Sequence, residues 1–370
     1  MRIGFDAKRV FHNTTGLGNY SRDLLQILSS FYPNNKYLLY NPKKRTNDRY
    51  TLVSNNKEIF PKSKFWQKLS SLWRQRAIVT QLKEDGVTIY HGLSGELPKG
   101  LEKTNIKKIV TIHDLIFVRY PKLYSFFDRK IHFSKFKHAA EIADVVVAIS
   151  EQTKRDIVAF LQIDPAKIKV VYQGCSNAFK KDYPQELKDA VINKFDLPEK
   201  FILNVGTIEE RKNLLNLVKS IAEIDTVLVV VGGDKSDYAD TVKTYITANN
   251  LSHKVRFLKN VALEELAIIY QLAQIFVYPS IFEGFGIPII EALYSKTAVI
   301  TSTNGCFAEA GGEDSIYINP QSVSEIKEAI QFLLNTPSKR IEMTEKGLEF
   351  AQKFNDEFVA ENMMRLYLSM

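Results

Sequence analysis

Short apolar runs rich in β-branched residues alternate along the chain with longer stretches whose apolar positions recur every three or four residues. The runs RIGFDA, KYLLYN, TIYHG, KIVTIHD, VVVAIS and IKVVYQG in the first half predict strands, as do KFILNVG, TVLVVVGG, KVRFLK, QIFVYPS, TAVITS and SIYIN in the second. Between them NYSRDLLQILSSF, EQTKRDIVAFL, NLLNLVKSIAEI, LEELAIIYQLA and PIIEALYS predict helices. Strands that are apolar on both faces, each followed by a helix, predict parallel sheets covered by helices: an α/β fold. The strand–helix series runs twice. The polar, proline-bearing segment KKDYPQELKDAVINKFDLPEK (180–200) separates the two series and sets a domain boundary there. An amphipathic helix over about 354–370 follows the last strand.

Length agrees with two domains, since 370 residues exceed one ordinary core. Hydrophobic and charged fractions of 45% and 25% are those of a folded protein. No apolar run reaches the length of a membrane span, and MRIGFDAKRV enters a strand with no signal-peptide core. Two cysteines, Cys175 and Cys306, argue against a disulfide framework or a structural zinc site and lead us to expect a reducing cytoplasm. Charge is unevenly spread. Residues 1–190 hold 33 Lys and Arg against 18 Asp and Glu, a net of +15, and the remaining 17 against 24 give −7. A basic first half suits an anionic partner, whether nucleic acid, a phospholipid surface or a phosphate-bearing substrate, unless its lysines are simply solvated. The chain shows no RNA-binding or helix-turn-helix signature, which argues against nucleic acid.

Open α/β sheets bind ligands beyond the carboxyl ends of their strands, so strand-to-helix junctions are where chemistry is expected. Four junctions hold unusual residues. In NTTGLGNYSRDLL, Gly16 and Gly18 precede a helix expected to start near Asn19, where glycines let a phosphate approach backbone N–H groups; an ordinary turn explains them equally. In VTIHDL, His113 and Asp114 end a buried strand, and His91 ends the preceding one; such a histidine can exchange a proton or bind a sugar hydroxyl, or be structural. In LNVGTIEERKNLLNL, the strand ends at Gly206, Thr207 follows, and Arg211 and Lys212 stand before a helix, suited to a diphosphate unless EERK is a solvated charge cluster. The fourth, SIFEGFGIPIIEAL, sets Glu283, Gly284, Phe285, Gly286 and Ile287 in a turn, Pro288 in a first helical turn and Glu291 one turn further on. The spacing argues against a close catalytic dyad. Two carboxylates spread along a ligand would accept hydrogen bonds from hydroxyls at its two ends.

These residues resemble glycosyltransferase family 4. EGFGIPIIEAL is similar to the family signature, and TGLGNY, TIHDL, AISEQTKRDI, VVYQGCSNAF and VGTIEERKNL resemble its other motifs in order over nearly the whole chain. The resemblance implies a GT-B fold, two Rossmann-like domains facing across a cleft. The N-terminal acceptor domain would span 1–185, the C-terminal nucleotide-sugar domain 186–353, and the helix 354–370 would cross back to the first. It implies transfer of a hexose from a nucleotide-diphosphate sugar with retention of configuration, with no bound metal and no cofactor. Carried over by position, Glu291 would hold the donor ribose and Glu283 the transferred sugar. Backbone N–H groups of Phe285, Gly286 and Ile287 would lie near sugar and diphosphate, with Lys212 and Gly18 at the phosphate and His113 facing the reacting sugar. Thr207 departs from the arginine many members have there; Arg211 is expected to supply that charge, as in some mannosyl-transferring members. The base-reading loop is expected at Lys259, Asn260 and Val261.

The chain lacks an Asp-x-Asp element at a strand end, the expected mark of a metal-dependent transferase, and a close carboxylate pair like that of a retaining glycosidase. GDP-mannose is the first expectation for the donor, with UDP-linked hexoses next, and the acceptor would be a glycan or a lipid-diphosphate-linked saccharide in surface polysaccharide synthesis. A nucleotide-sugar epimerase or phosphorylase-like enzyme on the same fold is the alternative. The segment 61–83, with Lys62, Lys64, Lys68, Arg74 and Arg76 beside Trp66 and Trp73, reads either as an amphipathic helix meeting the anionic inner face of a membrane or as core.

Overall fold

The computed structural model describes residues 1–13, 15–44 and 50–370. β1 (Arg2–Asp6), β2 (Lys36–Tyr40), β3 (Asn56–Ile59), β4 (Ile89–Gly92), β5 (Lys107–Ile112), β6 (Val145–Ala148) and β7 (Ile168–Val170) form a parallel sheet in the order β3-β2-β1-β4-β5-β6-β7. β8 (Phe201–Val205), β9 (Val227–Val231), β10 (Val255–Leu258), β11 (Ile275–Tyr278), β12 (Ala298–Ser302) and β13 (Ile316–Ile318) form a second parallel sheet in the order β10-β9-β8-β11-β12-β13. Phe5 sits in register between Leu39 and His91, and Ile202 between Leu228 and Ile275. In each sheet the winding reverses beside the first strand, between β1 and β4 and between β8 and β11. Those reversals leave a crevice at the carboxyl edge, the usual ligand position of doubly wound sheets.

Twelve of these strands fall on the apolar runs. The exception is β3, whose Asn-Lys-Glu-Ile carries no such run. It is an edge strand, pairing among the described residues only with β2, so it buries little and its sequence is free to be polar. The chain forms two compact units, Met1–Gly174 with Asn355–Met370, and Cys175–Phe354. Phe179 shows why the second begins so early: it is fully buried, its ring 5.6 Å from that of Tyr270. In the first unit side chains alternate between two cores. Leu38, Tyr40, Val110 and Ile112 point to one, and Tyr37, Leu39, Ile109 and Val147 to the other. The helix Asp356–Leu368 seals the second with Val359, Ala360, Met363, Met364, Leu366 and Tyr367.

The segment 61–83 is not one amphipathic helix. It breaks into helices Lys64–Lys68, Ser70–Leu72 and Ile78–Glu84, with a π-helical turn Trp73–Ala77. Trp73 is 1% exposed, so it is core rather than lipid-facing, and half-buried Trp66 packs against the same core. Arg74 turns inward to Asp6 and Glu96. Phe65, Leu69 and Leu72 remain exposed beside Lys62, Lys64, Lys68 and Arg76.

Candidate functional site

In the second unit the site grows from the two strands flanking the reversal. β8 runs into Gly206, whose φ of 147° suits glycine, and whose N–H bonds the Val231 carbonyl at 2.9 Å. The loops touch so closely that a Cβ on Gly232 would meet the Gly206 carbonyl oxygen at 1.8 Å. From Thr207 the chain dips through buried Ile208, makes the turn Glu210–Lys212, and enters the helix Leu214–Ser220 through left-handed Asn213. On the neighbouring strand β11 ends at Tyr278. The Ile281 N–H bonds the Arg211 carbonyl at 2.8 Å, and Asn213 Nδ2 bonds the Pro279 carbonyl at 3.2 Å, tying the two loops together.

Glu283 is the hub. Its Oε1 receives Lys212 Nζ at 2.6 Å, Arg211 Nη1 at 2.7 Å, Ser280 Oγ at 2.6 Å and the Tyr278 hydroxyl at 2.9 Å. Burial alone would favour the neutral acid, but Lys212 and Arg211 outweigh it and hold the carboxyl down to about 2. The carboxylate is therefore ionised, fixed and weakly basic. Lys212 Nζ also bonds the Tyr278 hydroxyl at 2.5 Å, and Arg211 also meets Glu209 and the Phe282 carbonyl, each at 2.5 Å. Burial pushes the Tyr278 hydroxyl well up, helped by the Glu283 charge, so it stays protonated.

Cys306 Sγ donates to the carbonyls of Glu283 and Phe285 at 3.3 and 3.0 Å, pinning the turn from below. Phe285 itself is buried, its ring 5.5 Å from Phe354. Gly286, at φ 110°, caps the helix Ile287–Tyr294, with proline in its first turn. Along that helix Glu291 Oε2 meets the Tyr270 hydroxyl at 3.1 Å. Gly206, Thr207, Arg211, Lys212 and the segment Glu283–Ile287 thus gather at the β8/β11 reversal. Lys259, Asn260 and Val261 leave the edge strand β10. There Asn260 takes a left-handed φ of 54° and Lys259 Nζ reaches Asp234 at 3.4 Å.

His113, Gly16 and Gly18 belong to the first unit. The helix expected from Asn19 starts at Gly16. The Gly18 N–H is bound internally, to the Thr15 carbonyl at 2.9 Å and Asn13 Oδ1 at 3.0 Å. A Cβ there would meet the Asn13 carbonyl oxygen at 2.2 Å, so the glycine serves a tight backbone approach. His113 Nε2 bonds the Leu93 carbonyl at 2.9 Å, and its ring stands edge-on to Tyr20 at 4.6 Å. Burial pulls it down to about 4, with Leu93 opposing, so the imidazole is neutral and Nε2 keeps its proton. His91 lies deeper, bonded to Thr111 Oγ1 and the Tyr367 hydroxyl, both at 2.7 Å. The Tyr20 hydroxyl reaches the same threonine at 3.3 Å.

Sequence reasoning missed Tyr278, Ser280, Cys306 and Gly232. The first two were visible as polar groups ending an apolar strand in FVYPS, and Gly232 as the glycine pair ending VLVVVGG; nothing marked Cys306. Among the described residues no group of three or more His, Cys, Asp or Glu could hold a metal ion. No described helix is long and apolar enough to cross a membrane.

Residues 37–178 match the family Glycosyltransferase Family 4, and 186–350 match Glycosyl transferases group 1. The O-antigen chain mannosyltransferase B of Escherichia coli is 25% identical over 99% of both chains. Among solved structures, sucrose-phosphate synthase from Thermosynechococcus elongatus superposes with a TM-score of 0.82 at 23% identity, over 100% of this chain and 98% of that one. Anabaena HepE in complex with UDP-glucose superposes with a TM-score of 0.78 at 16% identity, over 100% of both.

Proposed function

This chain belongs to glycosyltransferase family 4, with a GT-B fold, and we propose that it transfers a hexose, with retention of configuration, from a nucleotide-diphosphate sugar to a saccharide acceptor. The observation that carries the reading is the cationic pair Arg211 and Lys212 locked to an ionised Glu283 where the second sheet reverses. A departing nucleoside diphosphate gains negative charge, and two fixed cations beside the helix Ile287–Tyr294 stabilise it without reorganising. With its Oε1 saturated by donors, Glu283 orients sugar hydroxyls rather than attacking the anomeric carbon. The leaving diphosphate then takes the acceptor's proton on the same face of the sugar. Glu291 holds the donor ribose, with the Tyr270 hydroxyl steering its carboxylate. Neutral His113, its Nε2 N–H donating to the Leu93 carbonyl, accepts a hydrogen bond from a hydroxyl of the transferred hexose at Nδ1.

The donor we favour is GDP-mannose, supported by the GTIEERKN sequence and by the Escherichia coli mannosyltransferase relative. UDP-glucose stands second, on the ligand in the HepE structure. The acceptor is a glycan or a lipid-diphosphate-linked saccharide of surface polysaccharide synthesis, met by a basic first domain at the inner face of a membrane. Thermal stabilisation by a panel of nucleotide sugars tests the donor. GDP-mannose is expected to raise the melting temperature most, and no stabilisation by any of them would sink the reading. Product configuration by NMR tests retention, and donor turnover with no acceptor present would favour the epimerase or phosphorylase alternative. Side-chain cations replace a divalent ion in this mechanism, so transfer is expected to survive EDTA. Activity lost on chelation and restored by Mg2+ or Mn2+ would overturn that part.

A further inference from the structure

The first sheet reverses its winding between β1 and β4, and the chain leaving β1 and β2 builds a second charged crevice there. Lys8 opens the short helix after β1, and Lys43 follows Asn41 and Pro42 after β2. His12 Nε2 bonds Asn41 Oδ1 at 2.8 Å and the Lys43 carbonyl at 2.9 Å, fixing the second loop against the first. Lys8, His12, Lys43, Ser70, Arg74 and Lys135 line a cavity of about 390 Å³.

The charges in it do not balance. Asp6 and Glu96 both bind Arg74, and Lys135 Nζ stands 3.5 Å from Glu96. Two carboxylates thereby serve two cations. Among the described residues no carboxylate lies within ion-pair distance of Lys8 or Lys43; Glu96 and Asp6 act on Lys8 only from further off and are already shared with Arg74, so the cavity keeps an excess of two positive charges. Lys8 is held below the usual lysine value by partial burial and then by Arg74 and Arg9, with Glu96 and Asp6 opposing. A neutral saccharide has nothing to match this excess. A phosphate or diphosphate does, since it brings two negative charges and several acceptor oxygens.

We propose, resting on the transferase reading above, that the acceptor bears a phosphate or diphosphate and that Lys8 and Lys43 hold it in this cavity. His113 directly follows β5, two strands from β1, so at about 4.8 Å per strand the two strand ends lie about 10 Å apart, a span a saccharide can bridge.

Amine acylation followed by mass spectrometry tests the site in the full chain. Inorganic pyrophosphate should slow acylation of Lys8 and Lys43 by about threefold or more, as expected when an anion pairs with an ammonium, and leave the exposed Lys36 and Lys57 unchanged. Equal rates with and without pyrophosphate overturn the proposal. Transfer kinetics supply the second arm, with one saccharide presented on an alkyl diphosphate, as a sugar phosphate without the chain, and as a neutral alkyl glycoside. In the double variant Lys8→Gln/Lys43→Gln, KM for the alkyl diphosphate should rise about tenfold while KM for the neutral glycoside stays put. A matching rise for the sugar phosphate supports the site with a soluble phosphate as its source; no rise there supports it with a lipid-linked one. Equal changes for charged and neutral acceptors overturn it. Pyrophosphate protection in a protein that turns over no nucleotide sugar would instead count against the transferase reading and leave this site standing.

Discussion

At the scale of single residues, one oxygen of Glu283 organises the second unit's site, and its environment makes a pH statement. The folded carboxyl sits at about 2 against an ordinary 4.5. A depressed carboxylate contributes stability in full above the ordinary value and loses it as pH falls through the folded one. The window is therefore pH 4.5 down to 2, and the amount is on the order of 3 kcal/mol. Glu283→Gln should abolish that pH-dependent part of stability, and it leaves part-buried Lys212 without its counter-charge and Arg211 with Glu209 alone. The expected cost is about 3–5 kcal/mol at neutral pH, read by chemical denaturation. Transfer should fall by about 100-fold or more. A variant with wild-type acid unfolding between pH 4.5 and 2 would show that the charge cluster contributes nothing. Sequence made the three charged partners legible, because charges and glycines stand out at strand ends. It could not show that Lys212 and Arg211 converge on one carboxylate 71 and 72 positions away, since that depends on β8 and β11 being neighbours.

Elements set where those residues can go. Gly232 directly follows β9, and no rotamer change relieves a Cβ placed 1.8 Å from a backbone oxygen. Gly232→Ala must push the Gly206–Thr207 loop aside, at about 1–3 kcal/mol for overpacking. The expected readout is a lower melting temperature together with weaker nucleotide binding by calorimetry. Unchanged nucleotide affinity in the folded variant would separate this loop from the donor. The last helix makes a comparable contact in the first unit, where Tyr367 reaches His91 between Phe5 and Thr111. Tyr367→Phe strips a partner from a fully buried ring nitrogen and should cost about 1–3 kcal/mol. Denaturation at wild-type stability would mean that the bond has no net weight. Patterning located twelve strands because burial on both faces leaves a readable apolar run. It was silent for β3, which is polar at its edge, and it missed the break at Trp73, where a π-helical turn rotates one tryptophan into the core. The helix start at Gly16 rather than Asn19 follows from Asn13 and Thr15, which satisfy the Gly18 N–H.

On the scale of the whole molecule, charge and apolar exposure are both skewed toward the first half of the chain. Residues 1–190 carry the net +15, and several large exposed side chains lie there beside cations. Phe65 is 61% exposed near Lys64 and Lys68, and Phe127 is 76% exposed on the helix Phe126–Ile142 near Lys122 and Lys130. A large apolar side chain left in water is ordinary singly, but several among lysines match the interface of an anionic bilayer. Each cation at such a surface contributes about 1 kcal/mol, and the attraction reaches about 10 Å at 0.1 M salt but only about 3 Å at 1 M. The protein should therefore co-sediment with vesicles containing phosphatidylserine at low salt, leave them at high salt, and ignore vesicles of phosphatidylcholine alone. Replacing Phe65 and Phe127 with serine should weaken the low-salt binding without moving the melting temperature, because both side chains already face solvent. A protein that stays in the supernatant with anionic vesicles at low salt would remove the membrane from this picture and make a soluble glycan the acceptor to pursue.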